Sequence, residues 1–188
     1  YAEAYREQPN NNYKRVIENT LAFVEREWMT DEGGFYASYD ADSEGVEGKF
    51  YTFTYNELQS ILKENFALAE KVYQIKEDGN WEHTNILFRN KTNDEHAEEM
   101  GISVAELNKE LDAINKQLFD YRENRIKPGL DNKIILSWNA LMCSGYVQAY
   151  KALGNEHYKS IAIKNLEFML SAFVDQQNAG VLLHTYSN

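Results

Sequence analysis

Two long apolar patterns joined by a tight turn constrain the fold of this chain most. The first recurs at intervals of three and four residues through Ile134, Trp138, Leu141, Gly145, Ala149 and Leu153. The returning pattern runs through Tyr158, Ile161, Ala162, Leu166, Met169 and Phe173. Gly154 and Asn155 lie between them, where glycine permits the left-handed backbone that ends a helix. We therefore predict a helical hairpin whose first helix is buried over much of its circumference.

Two more long helices are predicted upstream of this hairpin. Apolar residues at helical spacing indicate one helix from about Asn12 to Met29 and another from Ser103 to Tyr121. Ser103 is expected to be the N-cap of the second, because serine accepts hydrogen bonds from free amides of the first turn. The segment Lys127-Pro128-Gly129 then starts a loop. The chain is therefore predicted to be mainly α.

Shorter elements are predicted between these helices. Thr54 and Glu57 match a capping box, which indicates a helix that continues to Glu64, and residues 66–75 have the pattern of a further short helix. The segment from Phe50 to Thr54 alternates aromatic and polar residues, as a short strand does. The letters NILF, which follow the turn DGN, indicate another extended segment.

A weak internal repeat indicates a ring of helical hairpins. The segment from Met29 to Tyr39 leads from a helix end through aspartate and glycine to a Ser-Tyr pair, and the segment from Val174 to Tyr186 leads similarly to a Thr-Tyr pair. Each hairpin of such an array buries its apolar face only against its neighbours. We predict that residues 1–188 form part of an (α/α) toroid with short β-hairpin loops, and that about 50–122 is an insertion. Because six hairpins need a longer chain, we expect exposed apolar helix faces and self-association.

Charge and composition argue against several classes of function. The 19 basic and 30 acidic residues give a net charge of −11, which argues against a nucleic acid or an anionic membrane surface as partner. No apolar stretch approaches the roughly 20 residues that a membrane span needs, and no signal pattern opens the sequence, so we expect a cytoplasmic location. The single Cys143 is expected to be a buried, unreactive thiol.

The segment DEGGFYASYDADSEGVEGKFYTFT, residues 31–54, has the composition of a binding loop, since it combines acids and glycines with paired aromatics. Asp40, Asp42 and Glu44 occupy early positions of a calcium-loop pattern, but Tyr51 stands where that pattern requires a bidentate glutamate. A hydrogen-bonded acidic turn is favoured over a calcium site. The four histidines and one cysteine lack zinc-ligand spacing, so we predict no metal and no other cofactor.

A second cluster, DNKIILSWN at residues 131–139, adds candidates for binding a hydroxyl-rich ligand, because such ligands need carboxylates and amides beside aromatic rings. The full set of candidate ligand-binding residues is Asp40, Asp42, Glu44, Glu47, Tyr51, Asp131, Lys133, Trp138, Asn139 and His184. For His184, a surface or packing role is the alternative to ligand binding. The structural alternative is that the loop acids cap backbone amides or pair with Lys49 and Lys133, and that Trp138 packs in the core.

Three blocks resemble a known family: GGFYASYDADSEGVEGKFYTFT, GNWEHTNIL and DNKIILSWNALMCSGYVQAYKALG. In order and spacing they are similar to the spermatogenesis-associated thioredoxin-like protein family, whose members join a thioredoxin-like domain to a ring of paired helices. The resemblance runs from about Asn12 to the C-terminus. It implies a fragment of a helical domain similar to N-acylglucosamine 2-epimerase and other six-hairpin sugar-active enzymes, with the thioredoxin-like domain absent from this sequence. Asn132 stands where the family has a second acid, which weakens any acid/base pair there. The related sugar epimerases move a proton with histidines, and this resemblance makes His184 the candidate for that role, although no motif assigns it.

Two functions from different classes follow. The first is a carbohydrate-active domain, epimerase- or isomerase-like or glycosidase-like, that binds or converts a sugar-type ligand, with catalytic residues unassigned. The second is a non-catalytic helical scaffold or interaction module beside the thioredoxin-like domain. If the domain is catalytic, we expect one pocket to bring together Asp40, Asp42, Asp131 and Asn139, with at least one carboxylate poorly paired. A scaffold predicts that backbone amides or lysines saturate each of them.

Overall fold

The computed structural model describes residues 1–175, 178 and 180–186, and over these the chain is mainly helical, as predicted. The helices are α1 (Ala2–Glu7), α2 (Asn11–Glu27), α3 (Tyr55–Leu62), α4 (Phe66–Val72), α5 (Asn93–Met100), α6 (Val104–Arg122), α7 (Leu136–Leu153) and α8 (Glu156–Ala172). The strands are β1 (Ser38–Tyr39), β2 (Asp42–Ser43), β3 (Val46–Glu47), β4 (Leu130–Asp131), β5 (Ile134–Ile135) and β6 (Thr185–Tyr186). No helix in these ranges is long and apolar enough to cross a membrane.

The chain divides into two compact units. Unit 1 comprises Tyr1–Tyr39 with Leu130–Asn188, and unit 2 comprises Asp40–Gly129. Each unit has a buried apolar core of its own. Unit 2 contains the range 50–122 that was predicted to be an insertion, and its role as an insertion in a ring stays a prediction.

Unit 1 is built on the predicted helical hairpin of α7 and α8, which is confirmed. Gly154 ends α7 in the left-handed conformation, with φ of 66°. The Asn155 side chain then accepts the His157 N–H at 3.0 Å and caps the start of α8. The long helix predicted from about Asn12 to Met29 is also confirmed, as α2, whereas α1 was not predicted.

The buried face of α7 differs from the prediction. Trp138 is 52% exposed and Leu141 is 72% exposed, whereas Tyr146 and Ala149 are buried in a core that α2 and α8 complete. Apolar residues occupy a wider part of the α7 surface than the part that is buried within unit 1. Periodicity alone therefore could not identify the buried stripe. The assignment of Trp138 to the core is therefore wrong.

Two loops with the same pairing pattern follow α2 and α8. Loop A, residues 28–39, ends in β1, which pairs with β4, and loop B, residues 173–186, ends in β6, which pairs with β5. Each loop is first closed by an isolated antiparallel bridge, Met29 with Phe35 and Val174 with Leu182. The repeat predicted from these two segments is confirmed over the described residues.

Unit 2 packs α3, α4, α5 and α6 around one apolar core, to which Leu58, Leu62, Leu107 and Ile114 contribute fully buried side chains. The predicted capping box is present, because the Thr54 side chain accepts the Glu57 N–H while the Glu57 carboxylate accepts the Thr54 N–H. The predicted long helix is α6, capped by Ser103 as expected.

The predicted strand at Phe50–Thr54 is wrong. Gly48 has a φ of 67°, and its carbonyl oxygen accepts the Tyr51 N–H at 2.8 Å, which closes a turn. The extended contact in this segment is an isolated bridge between Phe53 and Asn85, and the NILF segment forms no strand beyond it in the described residues. Phe50 and Phe53 are buried, whereas Tyr51 between them is 40% exposed, so the aromatic residues of this segment do not follow strand alternation.

Candidate functional site

Asn139, from the SWN motif, holds loop A in place. Its side chain is 1% exposed in the first turn of α7. The Oδ1 atom accepts the Phe35 N–H at 2.8 Å, and the Nδ2 atom donates to the carbonyl oxygens of Phe35 and Ile135, both at 3.0 Å. One amide thus satisfies both backbone groups of Phe35, which have no partner in their own loop.

Asn165 on α8 completes this arrangement, and the sequence analysis missed it. Its Nδ2 atom donates to the Gly33 carbonyl oxygen at 2.8 Å and to Asn139 Oδ1 at 3.0 Å, and its side chain is fully buried. We call Asn139 and Asn165 the amide clamp. The sequence contained a signal for a structural role of Asn165. It is a polar residue between the buried positions Ala162 and Phe168 of an apolar helix face.

The GG pair of loop A is required by this close packing. A Cβ atom on Gly34 would lie 2.6 Å from Phe168 Cε1, and Gly33 has a φ of 102°. The Phe35 ring then stacks on Tyr146 with centroids 5.7 Å apart. Burial raises the pKa of the Tyr146 phenol, whose hydroxyl donates to the Leu21 carbonyl oxygen. The GGFY block therefore serves to dock loop A onto α7 and α8.

The remaining candidates of unit 1 lie nearer the surface. Asp131 Oδ2 is 3.0 Å from Lys133 Nζ, and Asp131 Oδ1 accepts the Lys133 N–H at 3.2 Å. These hydrogen bonds hold the pKa of the Asp131 carboxyl below its usual value. His184 is exposed, with Nδ1 beside the Thr185 hydroxyl at 2.8 Å, and Trp138 presents about half of its surface to solvent. Asp131 and Lys133 therefore pair with each other.

The acidic loop forms a small hairpin in unit 2. Strands β2 and β3 pair Asp42 with Glu47, and Glu44 at φ 55° begins the turn between them. Asp40 Oδ1 accepts the Asp42 N–H at 3.2 Å, and Glu44 pairs with Lys49 at 2.8 Å. In the described ranges, no group of three histidine, cysteine or carboxylate residues could hold a metal ion.

A cleft of about 600 Å³ lies in unit 2 beside this hairpin. Its lining includes Glu44, Lys49, Thr84, Tyr121 and Arg125. Glu44 is therefore the predicted site residue that faces this cleft, while Tyr51, which is 40% exposed, is outside its lining. The cleft combines hydroxyls, charged groups and an aromatic ring.

Arg125 forms one wall of the cleft and was also missed by the sequence analysis. Its Nη1 atom donates to the carbonyl oxygens of Lys49, Phe50 and Thr52 at 3.0, 3.2 and 2.6 Å, and its Nη2 atom lies 3.1 Å from Glu57 Oε1. The guanidinium carbon is 4.3 Å from the Phe53 ring centroid. No sequence pattern connects an arginine to a turn this far away along the chain.

Comparison with known proteins gives partial matches. No family model matches the chain. The uncharacterized protein B0495.5 of Caenorhabditis elegans is 31% identical over 90% of this chain and 26% of its own length. Spermatogenesis-associated protein 20 of Homo sapiens is 27% identical over 100% of the chain and 27% of its own length, and that of Mus musculus is 29% identical over 90% and 25%.

The chain is similar to spermatogenesis-associated protein 20. This similarity supports the family that the three sequence blocks indicated. The chain spans about a quarter of the length of these curated relatives.

The ten candidate residues divide into one group in unit 1 and one group in unit 2. In unit 1, Asn139 is saturated by the fold and Asp131 by Lys133. In unit 2, Asp40 caps a backbone amide, while Asp42 and Glu47 are exposed to solvent. Convergence of the two groups in one pocket stays a prediction.

Cys143 is half-buried, and burial raises the pKa of its thiol.

Proposed function

We propose that this chain is a non-catalytic helical scaffold within a longer protein similar to spermatogenesis-associated protein 20. The amide clamp is the observation that carries the proposal. An asparagine side chain has two donors and two acceptor positions, and all four of Asn139 are engaged by Phe35, Ile135 and Asn165. The polar centre of the SWN motif therefore has no hydrogen-bonding capacity left for a ligand.

In this proposal the longer protein supplies the neighbours of unit 1. Its thioredoxin-like domain and further hairpins of an (α/α) toroid lie beside the chain and cover its exposed apolar residues. Leu141 and Leu170 are 72% and 61% exposed, and such side chains in one hairpin are typical of an interaction surface. The isolated chain would then self-associate. A cytoplasmic location completes the proposal, since one cysteine in 188 residues suits a reducing compartment.

The test is a thermal-shift and calorimetric screen of the parent protein against sugars and sugar phosphates, repeated with Asn139→Ala, Asp42→Asn and Trp138→Ala. We expect Asn139→Ala to lower the Tm without any ligand, because it leaves the Phe35 N–H and C=O buried and unpaired. Asp42→Asn should leave the Tm unchanged. A sugar that raises the Tm of the parent, and fails to do so in Trp138→Ala or Asp42→Asn, would contradict the scaffold.

A second candidate function is binding of a carbohydrate-type ligand in the unit 2 cleft. The cleft volume of about 600 Å³ suits a small ligand, and its lining includes the ring of Tyr121, which is 41% exposed, and the hydroxyl of Thr84. We assign no reaction to it. Isothermal titration of the parent with the same sugar panel tests this function: binding that Glu44→Gln weakens would support it, whereas binding that Glu44→Gln leaves unchanged would place the ligand elsewhere.

A further inference from the structure

Loops A and B share two equivalent backbone hydrogen bonds. In loop A, the Thr30 N–H donates to the Gly34 carbonyl oxygen at 2.8 Å, and the Tyr36 N–H donates to that of Trp28 at 3.0 Å. In loop B, the Asp175 N–H donates to Val181 at 3.0 Å, and the Leu183 N–H donates to Phe173 at 2.8 Å. Trp28 and Phe173 are the C-caps of α2 and α8. The two ladders are therefore equivalent.

This equivalence pairs the residues at the tip of each ladder. Phe35 in loop A corresponds to Leu182 in loop B, because each forms the closing bridge between the two hydrogen bonds. Gly33 corresponds to Gly180, with φ values of 102° and 85°. In an antiparallel ladder, the N–H and C=O groups of such a bridge residue point away from the partner strand. The outward backbone groups of Phe35 are the ones that Asn139 binds.

The equivalent positions differ sharply in burial. Phe35 is 4% exposed, whereas Leu182 is 61% exposed. Leu21 on α2 is 7% exposed, whereas its counterpart Leu166 on α8 is 48% exposed. Over the described ranges, no donor or acceptor is bonded to the N–H or C=O of Leu182. The described ladder of loop B therefore matches that of loop A, but Leu182 lacks the burial that Phe35 has.

We propose that a further helical hairpin of the longer protein holds loop B through a second amide clamp, with an asparagine side chain on the Leu182 backbone. This inference rests on the proposed scaffold function. The relatives provide the necessary chain, since this sequence spans about a quarter of their length. A second copy of this chain is a poor occupant, because its Asn139 is already saturated by its own loop A.

The structure also specifies the chemistry of the partner helix. Asn139 and Tyr146 are seven residues apart and therefore lie on one face of α7, where the amide binds the Phe35 backbone and the ring covers its side chain. The partner helix should carry an asparagine in its first turn and a large apolar or aromatic residue two turns later. A buried amide on the paired helix should face the Gly180 carbonyl oxygen, as Asn165 faces that of Gly33.

The experiment places a photo-cross-linking amino acid at position 182 of the full-length parent and identifies the captured peptide by mass spectrometry. We expect capture of a helix of the same polypeptide with asparagine in its first turn. The matched control is position 46 in unit 2, where Val46 is similarly exposed at 53%, and which should not capture that helix. Capture of the thioredoxin-like domain, of another copy, or of nothing would overturn the inference.

Hydrogen exchange of the Leu182 amide supplies a second readout. It should be at least about tenfold slower in the parent than in the 188-residue chain, because burial and hydrogen bonding protect an amide. Alanine at the captured asparagine should restore fast exchange, and equal rates in parent and chain would overturn the inference. If Asn139→Ala fails to lower the Tm, the scaffold function itself has failed; if it lowers the Tm and Leu182 stays unprotected, this inference alone has failed.

Discussion

At the residue scale, two buried amides and two glycines determine how loop A meets α7 and α8. The sequence identified Asn139 and the GG pair because they stand in dense, unusual blocks. It did not identify their role, since an asparagine beside a tryptophan is equally suited to a ligand site. Asn165 was missed because its partners, Gly33 and Asn139, are distant in sequence. Local patterns thus indicate which residues matter more readily than what they contact.

Two glycine substitutions test the packing at this scale. Gly34→Ala should destabilise unit 1 by about 1–3 kcal/mol, because the added methyl group meets the Phe168 ring and forces it to move. Gly145→Ala is the matched control on α7, where a Cβ meets nothing within 4 Å. It should stabilise the 188-residue chain by about 0.5–1 kcal/mol through helix propensity. Urea denaturation measures both, and equal effects would contradict the described packing.

At the scale of elements, one arginine of unit 2 ties a turn to the segment that follows α6. Arg125 binds three carbonyl oxygens of the 49–52 turn and the Glu57 carboxylate that caps α3. The long helices were predictable, because each has a periodic apolar stripe and a local cap. The strand at Phe50–Thr54 was not, because a distant guanidinium stabilises the turn that replaces it.

Arg125→Lys tests this tie. Lysine lacks the planar fork that reaches several acceptors at once, so we expect a loss of about 2–3 kcal/mol in the stability of unit 2. Lys116→Met serves as the control, because Lys116 is an exposed cation at the surface of α6 and its removal should change stability by less than about 0.5 kcal/mol. Urea denaturation followed by NMR at unit 2 amides measures both. Equal stability of the two variants would contradict the proposed tie.

The capping box of α3 should make unit 2 sensitive to acid. Burial raises the pKa of Glu57, but hydrogen bonds from Thr54 and the charge of Arg125 outweigh it, and the net pKa lies below the usual value of 4.5. Ionised Glu57 therefore stabilises unit 2 fully above about pH 4.5, and this contribution is lost as the pH falls through the folded pKa.

Glu57→Gln should reduce the acid sensitivity of unit 2 by the Glu57 contribution and destabilise unit 2 by about 1 kcal/mol at neutral pH, where a capping interaction is lost. Glu98→Gln, at an exposed position of α5, is the matched control and should retain the acid sensitivity of the parent sequence. Thermal unfolding of unit 2 between about pH 3 and about pH 7 measures the difference. An unchanged pH profile in Glu57→Gln would refute the assignment.

At the scale of the whole molecule, unit 2 begins and ends at adjacent points. The Asp40 N–H donates to the Gly129 carbonyl oxygen at 2.7 Å, next to the paired residues Tyr39 of β1 and Leu130 of β4. The sequence predicted a segment of similar extent as an insertion from its position between helices. Its boundaries could not be set from the sequence, because the two closing strands are only two residues long.

Removal of residues 41–128 should therefore leave unit 1 folded. Replacing them with Asn-Gly joins Asp40 to Gly129 through a two-residue turn, which suits a hydrogen-bonded closing pair. We expect helical circular dichroism and a cooperative melt for the shortened chain. The control replaces residues 31–34 of loop A by the same dipeptide, which removes Gly33 and Gly34 and should abolish the melt. An unfolded shortened chain would show that unit 1 depends on unit 2.

Hydrogen exchange at the Phe35 amide tests the central claim, that the polar centre of the SWN motif is structural. In the 188-residue chain the Phe35 amide should exchange slowly, because Asn139 Oδ1 accepts its proton in a buried site. Asn139→Ala should accelerate that exchange by at least about tenfold and leave the Ile114 amide in the unit 2 core unchanged. Equal protection of Phe35 in both proteins would contradict the account and return Asn139 to the candidates for ligand binding.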